Sequence, residues 1–158
     1  MKNSFFLIAF LFVLQIPLTA QTVKSVMESN WKGGSVAKTD LTESGYFVCI
    51  EKLYGIVFDE SDNTFSGYSR TEFTYDYQTY VAITKISGKY DESDYSVVIK
   101  TDYSVSKDEL PDGLYWIDTT IYLTLYSDED HPGYYLLSGK TSGMSYSDEL
   151  WEVSNYPY

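Results

Sequence analysis

Three acidic turns punctuate this chain: Asp59-Glu60-Ser61-Asp62, Asp91-Glu92-Ser93-Asp94 and Ser127-Asp128-Glu129-Asp130. Each lies between two stretches with strand character. In an up-and-down antiparallel sheet alternate turns fall at the same end, so the repeat works as a ruler for the architecture. Between the turns the chain is rich in Tyr (17) and Phe (8) and holds only 4 Pro, a composition suited to half-buried pleated surfaces. No stretch beyond the N-terminus keeps a helical period. Eight strands are expected, near 30–37, 46–58, 64–74, 78–90, 95–105, 114–126, 134–143 and 148–154. The fifth alternates Tyr95, Val97, Ile99, Tyr103 and Val105 with Ser96, Lys100, Asp102 and Ser104, and the sixth sets Ile117, Ile121, Leu123 and Leu125 against Asp118, Thr120, Tyr122 and Thr124. Such alternation gives one buried and one wet face. Strands of ~10 residues reach ~33 Å, a length suited to a small barrel.

Numbered along the chain, the acidic turns are the second, fourth and sixth, so they share one end with the start of the first strand. Gly33-Gly34, Gly67, Gly88 and Gly139 lie near that same end. Glycine inside a strand marks a bend or a close backbone approach, and glycines at one level imply a pinched, acidic end. The loops near 38–45, 74–78, 106–113 and 143–148 then mark a looser mouth. The fold class expected is all-β, an eight-stranded antiparallel up-and-down barrel.

Residues 1–20 have the pattern of a secretory signal peptide. Lys2 precedes the apolar run Phe5–Leu14, Pro17 breaks it, and Leu18-Thr19-Ala20 precedes a cut before Gln21. The run is too short to span a bilayer, which takes about 20 residues, and no Cys follows it to accept a lipid. Residues 21–158 are expected to form one domain that works in the periplasm or outside the cell. The formal charge of −12 argues against nucleic acid, which is bound through clustered Lys and Arg. An outer-membrane barrel is disfavoured by Lys52, Arg70, Lys85, Lys100, Asp102 and Asp118 on expected outer faces, so stable membrane insertion is not expected. Cys49 is the only cysteine and falls mid-strand, where it reads as a small buried hydrophobe.

Asn30-Trp31-Lys32-Gly33 at the first strand, followed by an eight-strand meander with glycines near the strand ends, resembles a small exported bacterial barrel of the lipocalin-like, or calycin, type. In that family a Trp of the first strand packs across the closed end, a role that would fall to Trp31. Ser29 stands where the family carries Gly, and no Arg occurs between Asp148 and Ser154. The resemblance implies non-catalytic binding of a small apolar or amphipathic ligand.

The acidic turns invite a calcium reading, since calcium takes 6–8 closely spaced oxygens. An EF-hand frame from Asp59 places Thr64 and Arg70 where Gly and Glu are required, so solubility and turn formation explain these residues better. With one His and one Cys, no transition-metal spacing exists, and His131 sits in a turn unsuited to triad chemistry. No catalytic residue, metal ligand or cofactor is assigned. Glu51 and Glu72 lie within strands and are expected to point outward. A ligand cavity would use inward faces at the mouth, with Phe73, Tyr80, Tyr103, Tyr115 and Ile117 as its wall. The alternative function is a protein-binding module of the cell envelope, such as a secreted protease inhibitor, contacting its partner through Tyr75 and Tyr77.

Overall fold

The computed structural model describes residues 21–38, 42–116, 118–142 and 150–157. The signal-peptide reading of 1–20, Ile117 and the loop expected near 143–148 fall on residues outside them. A short helix α1 (Val23–Met27) precedes eight strands: β1 (Trp31–Lys38), β2 (Tyr46–Asp59), β3 (Thr64–Tyr75), β4 (Gln78–Asp91), β5 (Ser96–Lys107), β6 (Thr120–Ser127), β7 (Tyr135–Ser142) and β8 (Leu150–Ser154). Each strand pairs antiparallel with the next, and β1 pairs with β8, closing the barrel. This is the expected all-β up-and-down barrel. Among the described residues no helix is long and apolar enough to cross a membrane.

Two departures from the sequence expectation have simple causes. Helix α1 is five residues long, too short to show a period; Thr22 caps it by accepting from the Ser25 amide at 3.2 Å. Strand β6 begins at Thr120 rather than near 114, because residues 108–116 form a loop across the mouth.

The acidic turns do gather at one end, and α1 seals it. Lys24 donates to the Phe58 carbonyl at 2.8 Å, and Glu28 accepts from the Phe58 amide at 3.0 Å. Val26, Met27 and Trp31 are buried there in the main core with Leu53, Phe58, Ile86, Tyr90, Val97, Ile99 and Val153. The inward glycines allow the tight coil. A Cβ on Gly139 would lie 2.0 Å from the Tyr122 carbonyl oxygen, and one on Gly88 would strike the Phe65 ring at 2.2 Å.

The carboxylates of the turns are used locally. Asp59 accepts the Ser61 amide and hydroxyl at 2.9 and 2.6 Å, and Asp91 does the same with Ser93 at 2.9 and 2.7 Å. These bonds, the serine hydroxyl foremost, hold both carboxyls below the usual carboxylate range. Asp128 is held low first by the Tyr156 hydroxyl at 2.5 Å, with further help from His131 at 3.2 Å. Among the described residues no three His, Cys, Asp or Glu side chains converge as a metal site would require.

Candidate functional site

The barrel interior divides into two halves. On the acidic-turn side it is filled with apolar side chains. At the mouth a second cluster holds Phe47, Cys49, Phe73 and Tyr80, with Tyr75, Leu110, Leu114 and Trp116 packed against it. Phe73 stacks on Tyr80 at 5.5 Å, meets Trp116 edge-on at 5.5 Å and lies 5.2 Å from Phe47. The strap 108–116 carries Leu110, Leu114 and Trp116 over the opening. It is tied down by the Trp116 indole, which donates to the Asp108 carbonyl at 2.8 Å, and by Asp108, which accepts from the Val81 amide at 2.8 Å and donates its own amide to the Val81 carbonyl at 3.0 Å.

Between the two apolar clusters lies a polar belt. Glu51 is 1% exposed. Its Oε1 accepts from the Ser35 hydroxyl and its Oε2 from the Thr71 hydroxyl, each at 2.7 Å. The expectation that Glu51 points outward is therefore corrected. It shares the inward parity of Phe47, Cys49 and Leu53, all buried. The parity was hard to assign because the opposite face of β2 carries Val48 and Ile50, apolar yet exposed. Glu72 does face outward, where it pairs with Arg70. Ser69 and Thr141 are buried in the same belt.

The register places Thr71 and two more threonines on the inward side. Thr71 pairs with Glu51 and Ala82, Thr84 lies two residues from Ile86 on β4, and Thr101 pairs with Ile86. Ala82 and Ile86 are buried, yet Thr71, Thr84 and Thr101 each keep part of their surface accessible. The belt thus replaces the Leu, Ile and Phe of the closed half with Ser, Thr and Ala around this level of the barrel.

Of the expected wall residues, Phe73 and Tyr80 are brought together in the mouth cluster. Tyr103 is instead 61% exposed. Two irregularities in the β4–β5 ladder, one between Ile86 and Lys85 and the next between Thr84 and Ile83, add residues to β5. The first shifts Tyr103 onto the parity of outward Lys85, because a bulge exchanges the faces of the residues that follow it. Tyr115 is 79% exposed on the strap, and its neighbour Trp116 turns inward in its place. Ile117 lies outside the described residues. Trp116 and Glu51 are the site residues that the alternation pattern missed. A Trp close behind the Pro111-Asp112-Gly113 turn of a mouth loop was the available signal for the first.

Two pockets open on the outer surface. One, of ≈ 230 Å³, lies where Tyr46, Val48 and Ile50 meet Glu72 and Thr74; the other, of ≈ 390 Å³, lies beside Lys32, Leu136, Glu152 and Tyr156. Among the described residues Glu51 is the one buried charged side chain. No family model, curated protein or solved structure matches this chain, and the reading of the site rests on its own chemistry.

Proposed function

We propose that the chain is a non-catalytic binding protein for a small amphipathic ligand, held in the mouth half of the barrel and acting in the periplasm or outside the cell. The observation that supports this reading is the inward polar belt of Ser35, Glu51, Ser69 and Thr71 beneath the aromatic cluster of Phe47, Phe73, Tyr80 and Trp116. A barrel selected only for stability gains nothing from a carboxylate in its interior, because burying polar groups costs free energy that apolar packing does not. A ligand with a polar head and an apolar tail matches the belt below and the Phe47, Phe73, Tyr80 and Trp116 rings above. It would enter by displacing the strap 108–116, which is loop rather than strand. Native mass spectrometry of protein purified from its own cell envelope tests the reading. A retained small molecule, lost from a Trp116→Ala variant, is the expected result. A bare mass, together with unchanged tryptophan fluorescence on titration with C12 amphiphiles, would overturn it.

A second reading, an envelope protein-binding module, is favoured by Tyr77. It is fully exposed at the tip of the β3–β4 hairpin with φ +62°, beside Asp76 at φ +47°. Both central residues of this two-residue turn adopt the left-handed conformation that normally selects Asn or Gly. An exposed aromatic side chain kept at a strained position suits a contact. Pull-down from an envelope extract with Tyr75 and Tyr77 changed to Ala separates the readings: a partner lost in that variant supports the module, and equal recovery dismisses it.

A further inference from the structure

We infer that the outer face of the barrel across β8, β1 and β2 docks an extended acidic segment of a partner protein, anchored by one aliphatic side chain. This face lies outside the lumen, so the docking holds whether or not the lumen takes a ligand. The register sets aliphatic residues side by side there: Leu150 on β8 pairs with Val36 on β1, and Val36 pairs with Val48 on β2. Tyr46 and Ile50 continue the patch along β2, two residues to either side of Val48. Val48 is 70% exposed, and Tyr46, Ile50 and Leu150 are exposed as well. Gly34 pairs with Ile50 and brings no side chain to cover it. Tyr46, Val48 and Ile50 wall the recess of ≈ 230 Å³ together with Glu72 and Thr74, which gives room for an anchor side chain. Adjacent large apolar side chains facing water mark an interaction surface, whereas single ones do not.

Charge selects the occupant. Between the acidic turns and the mouth, the outward positions of β7, β8, β1, β2 and β3 carry Lys32, Lys52, Arg70 and Lys140 against Glu72 and Glu152. Arg70 and Glu72 pair with each other, and Lys52 and Lys140 enter no ion pair among the described residues. Lys52 lies two residues beyond Ile50, and Lys140 pairs with Leu150 in the ladder, so a cation stands at two edges of the patch. This wall is locally positive on a chain whose formal charge is −12. A second copy docked by the same wall would set these lysines against their own kind, and the two chains repel at long range. An anionic bilayer broad enough to meet the wall would also come against the acidic turns at one end and Glu43, Asp108, Glu109 and Asp112 at the other. A single extended segment touches the wall alone. Its carboxylates meet Lys52 and Lys140, and its aliphatic side chain fills the recess.

The test is site-specific photo-crosslinking of the full-length chain in its native host. Benzoylphenylalanine replaces Val48 in one strain and Lys89, exposed on the outward side of β4, in a control strain. The expected result is a protein adduct formed from position 48 and not from position 89. Mass spectrometry of that adduct should place the link in a segment of net negative charge that carries an aliphatic residue. A synthetic peptide of the linked sequence should bind the wild-type protein in fluorescence anisotropy. Lys52→Glu combined with Lys140→Glu should weaken that binding at least about tenfold, the scale of reversing two exposed charges. A crosslinked dimer of this chain, a lipid adduct, a neutral or basic linked segment, equal yield from both positions, or no adduct each overturns the inference. So does unchanged affinity in the doubly reversed variant. If that variant does not fold, the loss of peptide binding between low and high salt replaces it, and salt-independent binding overturns the inference.

Discussion

The same strands build two unlike interiors. Toward the acidic turns, β4 contributes Ile86 and Tyr90 to a closed apolar core; toward the mouth it contributes Thr84, Ala82 and Tyr80 to a more polar interior capped by aromatic rings. β2 makes the same change, with Leu53 and Phe58 on one side of Glu51 and Cys49 and Phe47 on the other. The backbone ladder runs through both regions, so hydrogen bonding between strands does not distinguish them. The inward rung does. Large side chains interdigitating at high density make one half a stability core, whereas hydroxyls and alanine line the other. The closed half holds the barrel together, and the mouth half is the one the proposed function would use.

This contrast breaks if truncation costs the same in both halves. Leu53→Ala, fully buried in the closed half, is expected to lose about 3 kcal/mol in urea unfolding. Trp116→Ala is expected to cost less, about 1–2 kcal/mol, because its ring covers a loop-sealed mouth rather than a packed core. Hydrogen exchange sharpens that second case. The Val81 amide, which donates to Asp108, should lose protection in Trp116→Ala while the Ile99 amide in the closed half keeps it. Tyr77→Gly separates turn strain from lumen packing. It is expected to raise stability by about 0.5–1 kcal/mol by relieving φ +62° on a fully exposed residue, seen as a higher midpoint in the same urea series.

The smallest expected effect belongs to the acidic end. Asp59, Asp91 and Asp128 have folded-state pKa values below the ordinary carboxylate value. Their contribution is therefore complete above the unfolded value, about 3.9, and is lost as pH falls through the folded values. Melting temperature should decline slightly as the pH drops below about 4, and Asp128→Asn or Tyr156→Phe should flatten part of that decline. A decline already complete at neutral pH would contradict the assignment.

Much of the architecture was visible in the sequence because local chemistry and global topology agree. Asp-Ser pairs at the turns, inward glycines at one level and period-two strands all point to a pinched meander, and Trp31 is buried at the pinched end. The failures occur where one level overrides another. The alternation through Tyr103 was real, but the added residues in β5 exchanged its faces. The strand period carried on to Tyr115 fails because that segment leaves the sheet and crosses the mouth. Glu51 was concealed by exposed Val48 and Ile50 on the opposite face of β2, which made both faces look buried. Each miss affected the mouth half, where side-chain size and polarity are least tied to packing.

The ladder between β1 and β8, running from Lys32–Ser154 to Val36–Leu150, has a kinetic meaning. Every other ladder joins strands that follow one another in the chain and can zip from a nearby turn. This seam alone must bring together segments from opposite ends of the domain, and the entropy of closing so long a loop comes due in that one step. Until the last strand docks, β1 and β7 remain bare edges able to recruit another molecule's strand. The final strand, with Trp151 and Val153 anchoring it in the core, is thus the clasp that turns a growing meander into a molecule without edges.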